Sequence, residues 1–71
     1  MQGLTERQQQ ILNAVIGYIN EKGYPPTIRE LADIVGVKSS STLHGHLQRL
    51  EKKGYITKEK RKPRTIVPTV M

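Results

Sequence analysis

The feature that most narrows what this chain can fold into is a repeated pair of start and stop signals. Thr5-Glu6-Arg7-Gln8 and Thr27-Ile28-Arg29-Glu30 both have the form of a capping box. In each, the threonine is the N-cap and the Gln or Glu at the third helical position reaches back to the cap's backbone. Gly23 and Gly36 stand where a left-handed residue would end each helix. Inside the first pair of signals Ile11, Leu12, Val15, Ile16 and Ile19 recur at helical spacing. Inside the second, Leu31, Ala32, Ile34 and Val35 make a short apolar stripe. Tyr24-Pro25-Pro26 cannot continue a helix and reads as a rigid, extended connector. Val37-Lys38 leads into serines that can cap a third helix running to Lys53, with Leu43, Leu47 and Leu50 as its seam and Gly54 as its stop. The second helix, about nine residues, is separated from the third by about three or four residues beginning with glycine, which is the helix-turn-helix pattern. It covers about residues 28–48.

Beyond Gly54, Tyr55-Ile56-Thr57-Lys58 and Thr65-Ile66-Val67 are β-branched and aromatic and read as the strands of a hairpin. Between them, Lys58 to Arg64 (KEKRKPR) holds five basic residues and one acidic residue, a net of +4 out of the chain's +6. Ordered strands on both sides argue that this run is a hairpin tip rather than a free tail. The expectation is a mainly α (α+β) winged helix-turn-helix: three helices, then a two-stranded β-hairpin wing over about residues 55–70, all in a single domain, 1–71.

Composition removes several other classes. A chain of 71 residues buries only about 60% of its unfolded surface, so the core is thin. It has no cysteine, hence no disulfide framework and no thiolate metal site. Its longest apolar run is three residues, Ala14 to Ile16, too short to span a membrane, and the polar N-terminus does not read as a signal peptide. A soluble cytoplasmic protein is the expectation. A focused cationic patch on a small domain favours a polyanionic partner.

The third helix says which kind. At 100° per residue Gly45 falls roughly opposite the leucine seam, so the core gives no reason for a glycine there. It costs about 1 kcal/mol relative to alanine in a helix interior. Close approach by another surface explains accepting that cost. A helix entering the DNA major groove needs short side chains where it lies deepest and hydrogen-bonding groups around them. Ser41, Thr42, His44 and Gln48 surround Gly45 in that manner. His44 and His46 diverge by about 200° around the helix and cannot close on one metal ion; His46 lies beside the seam, as a partly buried rim residue. The serines next to histidine lack an orienting third group and an enclosed pocket, so no catalysis, cofactor or metal is expected.

At this point the sequence resembles the N-terminal DNA-binding domain of the LexA family of bacterial repressors. LTERQQQIL, GYPPTIRELA, SSSTLHGHLQRLEKKGYI and the KPR of the hairpin carry the resemblance, in order and over nearly the whole chain. It implies sequence-specific binding of double-stranded DNA at palindromic operators and repression of SOS, or DNA-damage, genes. Full-length members also carry a self-cleaving Ser-Lys peptidase domain triggered by RecA. These 71 residues do not include it, and no Ala-Gly cleavage dipeptide occurs in them. Contact with RecA is therefore expected only through that other domain, and the chain itself is expected not to be an enzyme. By position, the family's base-reading residues correspond to Ser39, Ser41, Thr42, His44 and Gly45; the helical wheel adds Gln48. Phosphate contacts are expected from Thr27 at the start of the second helix, from Lys38 and Lys53, and from Lys60, Arg61, Lys62 and Arg64 of the wing. As exposed side chains, those four wing residues should matter little to fold stability. With so little apolar surface to spare, the chain is expected to be a monomer that pairs on DNA, or to be dimeric in a longer parent.

Two other readings compete: a non-specific nucleic-acid module relying on the wing, and a protein-interaction winged helix. The outer face of the third helix is small and polar, without the large anchors of a protein hot spot. Three tyrosines are the only aromatics, which offers little for stacking single strands.

Overall fold

The computed structural model describes residues 3–59 and 62–69. It has helices α1 (Glu6–Lys22), α2 (Ile28–Val35) and α3 (Ser40–Lys52), followed by strands β1 (Ile56–Thr57) and β2 (Val67–Pro68). The strands pair antiparallel, Ile56 opposite Pro68 and Thr57 opposite Val67. This is the expected winged helix-turn-helix.

Both capping boxes form. Gln8 N–H donates to Thr5 Oγ1 (3.1 Å) and Gln8 Oε1 accepts from Thr5 N–H (3.3 Å). At α2 the matching distances are 3.1 Å for Glu30 N–H to Thr27 Oγ1 and 2.9 Å for Thr27 N–H to Glu30 Oε1. Gly36 takes φ +75° and ends α2 with Val37 N–H bonded back to Ala32 O (3.0 Å). α3 stops one residue earlier than the sequence suggests, at Lys52. Gly54 (φ +86°) and Tyr55 donate to Glu51 O (3.0 Å) and Leu50 O (2.9 Å), the paired bonds of a Schellman stop. Tyr55 thereby belongs to the helix end, and β1 starts only at Ile56.

The core gathers Ile11, Leu12 and Val15 of α1, Leu31 of α2, and Leu43, Leu47 and Leu50 of α3. Ile56 and Ile66 close it from the wing side. All three leucines of the α3 seam are fully buried, each contributing about 1.5–3 kcal/mol of apolar transfer. One stripe residue departs from expectation: Ile34 is 52% exposed. The buried side of α2 is centred on Ile28, Leu31, Ala32 and Val35, which leaves Ile34 about 110° around the helix. Among the described residues no helix is long and apolar enough to cross a membrane.

Candidate nucleic-acid interface

The turn between α2 and α3 presents α3 at the surface. Ser39 is its N-cap, with Oγ accepting from Thr42 N–H at 3.4 Å. Ser39, Ser41, Thr42, His44 and Gln48 are all exposed; the last four surround Gly45 on the outer side of α3, and Ser39 stands at the N-terminal end of the helix. A Cβ added at Gly45 would meet no atom within 4 Å, so the notch above it opens to solvent. The polar face expected from the sequence is therefore a continuous, uncovered surface.

Two clefts flank it. On one side α3 meets the wing and the start of α2, in a cleft lined by Thr27, Arg29, His44, Lys58, Lys62 and Ile66 among others. A second hollow, adjoining it, adds Lys38 and Ser40. On the other side Thr5 and Gln8 at the start of α1 face His46, Arg49, Lys52 and Lys53. His44 and His46 thus line different clefts. His46 is half-buried, and its Nδ1 is enclosed without a hydrogen-bond partner, in keeping with a rim residue. Arg29, Arg49 and Lys52 line these clefts without having been among the residues expected from the sequence to contact DNA. The helical wheel places Lys52 beside Gly45 and Arg49 on its flank, but it does not show the start of α1 opposite them.

The expected phosphate contacts divide. Lys38 and Lys62 are exposed, Lys62 lying 3.9 Å from Glu59. Lys60 and Arg61 lie outside the described residues. Thr27 uses both its hydroxyl and its N–H in the capping box. Lys53 is turned inward, donating from Nζ to Gly3 O (3.1 Å) and Gln8 Oε1 (3.2 Å), where it ties the start of the chain to the end of α3.

Arg64 requires a correction to the expectation that it is a free wing cation of no consequence to the fold. Its guanidinium makes a two-pronged pair with Glu30 (2.9 and 3.0 Å). It also donates to Pro25 O (3.1 Å) and Tyr18 Oη (3.4 Å), and it lies 4.8 Å above the centre of the Tyr24 ring. The Tyr18 hydroxyl in turn donates to Glu30 (3.1 Å). Glu30 accepts from the Thr27 backbone and from Arg64, which together lower its pKa from 4.5 to about 2. Because the folded-state pKa is the lower one, the stability this carboxylate provides is complete above about pH 4.5 and fades as pH falls toward 2. In melts recorded over that range, the difference between the parent and Glu30→Gln should stay constant down to about pH 5 and then close. A difference already closed at about pH 4 would contradict the assigned network.

The model of the LexA DNA-binding domain matches residues 1–65. The chain belongs to the LexA DNA-binding domain family. LexA repressors of Bacillus mycoides (strain KBAB4), Bacillus thuringiensis (strain Al Hakam) and Bacillus anthracis are each 56% identical to it over 66 residues. Those 66 residues are 93% of this chain and 32% of each of those LexA repressors, so the chain spans about a third of its relatives' length.

Proposed function

We propose that this LexA-family domain binds double-stranded DNA by laying α3 in the major groove, as the reading head of a repressor acting at palindromic operators of SOS genes. The observation that carries the reading is the uncovered notch over Gly45, ringed by Ser41, Thr42, His44 and Gln48 and flanked by two basic clefts. A major groove about 12 Å wide admits one helix and places a phosphate backbone on each side of it. Arg29, Lys38, Lys58 and Lys62 would meet one backbone; Arg49 and Lys52 would meet the other. Lys60 and Arg61 are assigned to the wing contact by sequence. Ser39, Ser41, Thr42, His44 and Gln48 would read base edges. Dimerisation and RecA-triggered self-cleavage would reside in the rest of a full-length repressor, and the domain alone would be a monomer that pairs on the two half-sites.

Titration of a palindromic duplex with and without excess unrelated duplex tests this. Operator binding should survive the competitor. With about five phosphates neutralised, log K should fall against log salt with a slope of about −4.5. Equal displacement by both duplexes would leave a non-specific module, and a flat salt response would remove the phosphate contacts.

A further inference from the structure

Arg64 is held in a way that a mere surface cation does not need. It is the one described residue other than glycine with positive φ (57°), a backbone state disfavoured for side chains with a Cβ and sustained only when the surroundings enforce it. Its partners come from far away in the chain: Tyr18, Tyr24, Pro25 and Glu30. The strands are held to the helices by Ile56 and Ile66 in the core, but β1 and β2 are two residues each, and so short a ladder does little by itself to fix the loop beyond them. At the base of the loop Thr65 Oγ1 accepts from Glu59 N–H (2.9 Å) and sits 3.2 Å from the carbonyl oxygens of Glu59 and Lys62. That closes the loop on itself without tying it to the helices. Ile66, two residues on, anchors the base of the wing in the core, and Arg64 adds a polar tie from the loop itself to α1, α2 and the connector between them.

We propose that Arg64 is a positioning residue of the DNA interface: clamped by Glu30, Tyr18, Pro25 and Tyr24, it fixes the wing at the angle that lets Lys62 reach the backbone. The inference rests on the DNA-binding reading above. Arg64 is thus a wing cation that leaves the ligand alone, and Glu30, an acidic residue beside a polyanion, favours DNA binding.

That sign makes the test decisive. Glu30→Gln keeps a capping-box acceptor at the third helical position while removing one negative charge and with it the two-pronged ion pair that holds Arg64. If Arg64 were a phosphate ligand, the substitution would free it and binding would hold or tighten. The clamp requires the opposite, a loss of roughly three- to tenfold in affinity, the scale of one charge-assisted contact. The specific readout is Lys62→Ala made in both backgrounds, with binding to one operator duplex at fixed salt and folding checked by melting. Lys62→Ala should weaken binding in the parent and cost nothing with Glu30→Gln, because an unclamped wing no longer presents Lys62. Arg64→Lys, which keeps the charge but not the planar fork, should behave as Glu30→Gln does. Equal costs of Lys62→Ala in both backgrounds, or full binding by Arg64→Lys, would overturn the clamp while leaving DNA binding intact. If Lys62→Ala cost nothing in the parent, the wing would leave the interface and the clamp's role would go with it. Failure of the parent to bind operator at all would instead sink the functional reading.

Discussion

Gly45→Leu should fold like the parent and lose most of its preference for operator over unrelated DNA. The position is helical, without positive φ, and a side chain there points into open space. Nothing in the fold resists it. A docked duplex would, because a branched four-carbon side chain in the notch holds Ser41, Thr42, His44 and Gln48 away from the base edges. Each base-edge hydrogen-bonded pairing that cannot form should cost roughly 1–3 kcal/mol of discrimination. On the proposed reading, lysines and arginines in the flanking clefts would reach phosphate through long, flexible stems, so non-specific affinity should fall much less. Gly45→Ala is the companion, gaining up to about 1 kcal/mol of stability from helix propensity. Competition titrations read the ratio of specific to non-specific affinity, and melting curves confirm the fold. Parent-like discrimination by Gly45→Leu would mean that α3 is not the reading head.

The elements of this fold were legible because each carries its own punctuation. Capping boxes at Thr5 and Thr27, and glycines at 23, 36 and 54, mark helix ends by local backbone chemistry that tertiary packing does not override. The leucine seam and the notch opposite it follow from the helical period alone. Less legible were features that depend on which distant groups meet. The strands came out shorter and shifted because the N–H of Tyr55 goes to the α3 stop, only its carbonyl pairing across the hairpin with Thr69, and Thr65 goes to the base of the loop. Arg64 and Lys53 looked like free cations, since no periodicity shows that Glu30 or the carbonyl of Gly3 waits beside them. Ile34 belonged to a stripe by hydrophobicity, yet an eight-residue helix buries too narrow a face to hold it.

Leu47→Ala should produce the opposite phenotype two residues away. Leu47 is fully buried at the centre of the α3 seam, and truncating such a leucine costs about 2–5 kcal/mol. At about 0.05–0.15 kcal/mol per residue the whole domain has only about 4–10 kcal/mol in hand. The melting temperature should fall by roughly 10 °C or more, since each 1 kcal/mol shifts it by about 4–8 °C in domains of this size. Operator binding should weaken by the fraction unfolded, for the polar outer face of α3 is untouched once the helix is docked. Excess operator, binding only the folded form, should therefore restore occupancy and recover much of the lost melting temperature, by about 2.7 kcal/mol at a hundredfold excess over Kd against the loss of about 2–5 kcal/mol. No excess of operator should restore the discrimination that Gly45→Leu abolishes. Thermal melts with and without duplex separate the two cases. If Leu47→Ala melted within a few degrees of the parent, the leucine seam would not be what holds α3 in place.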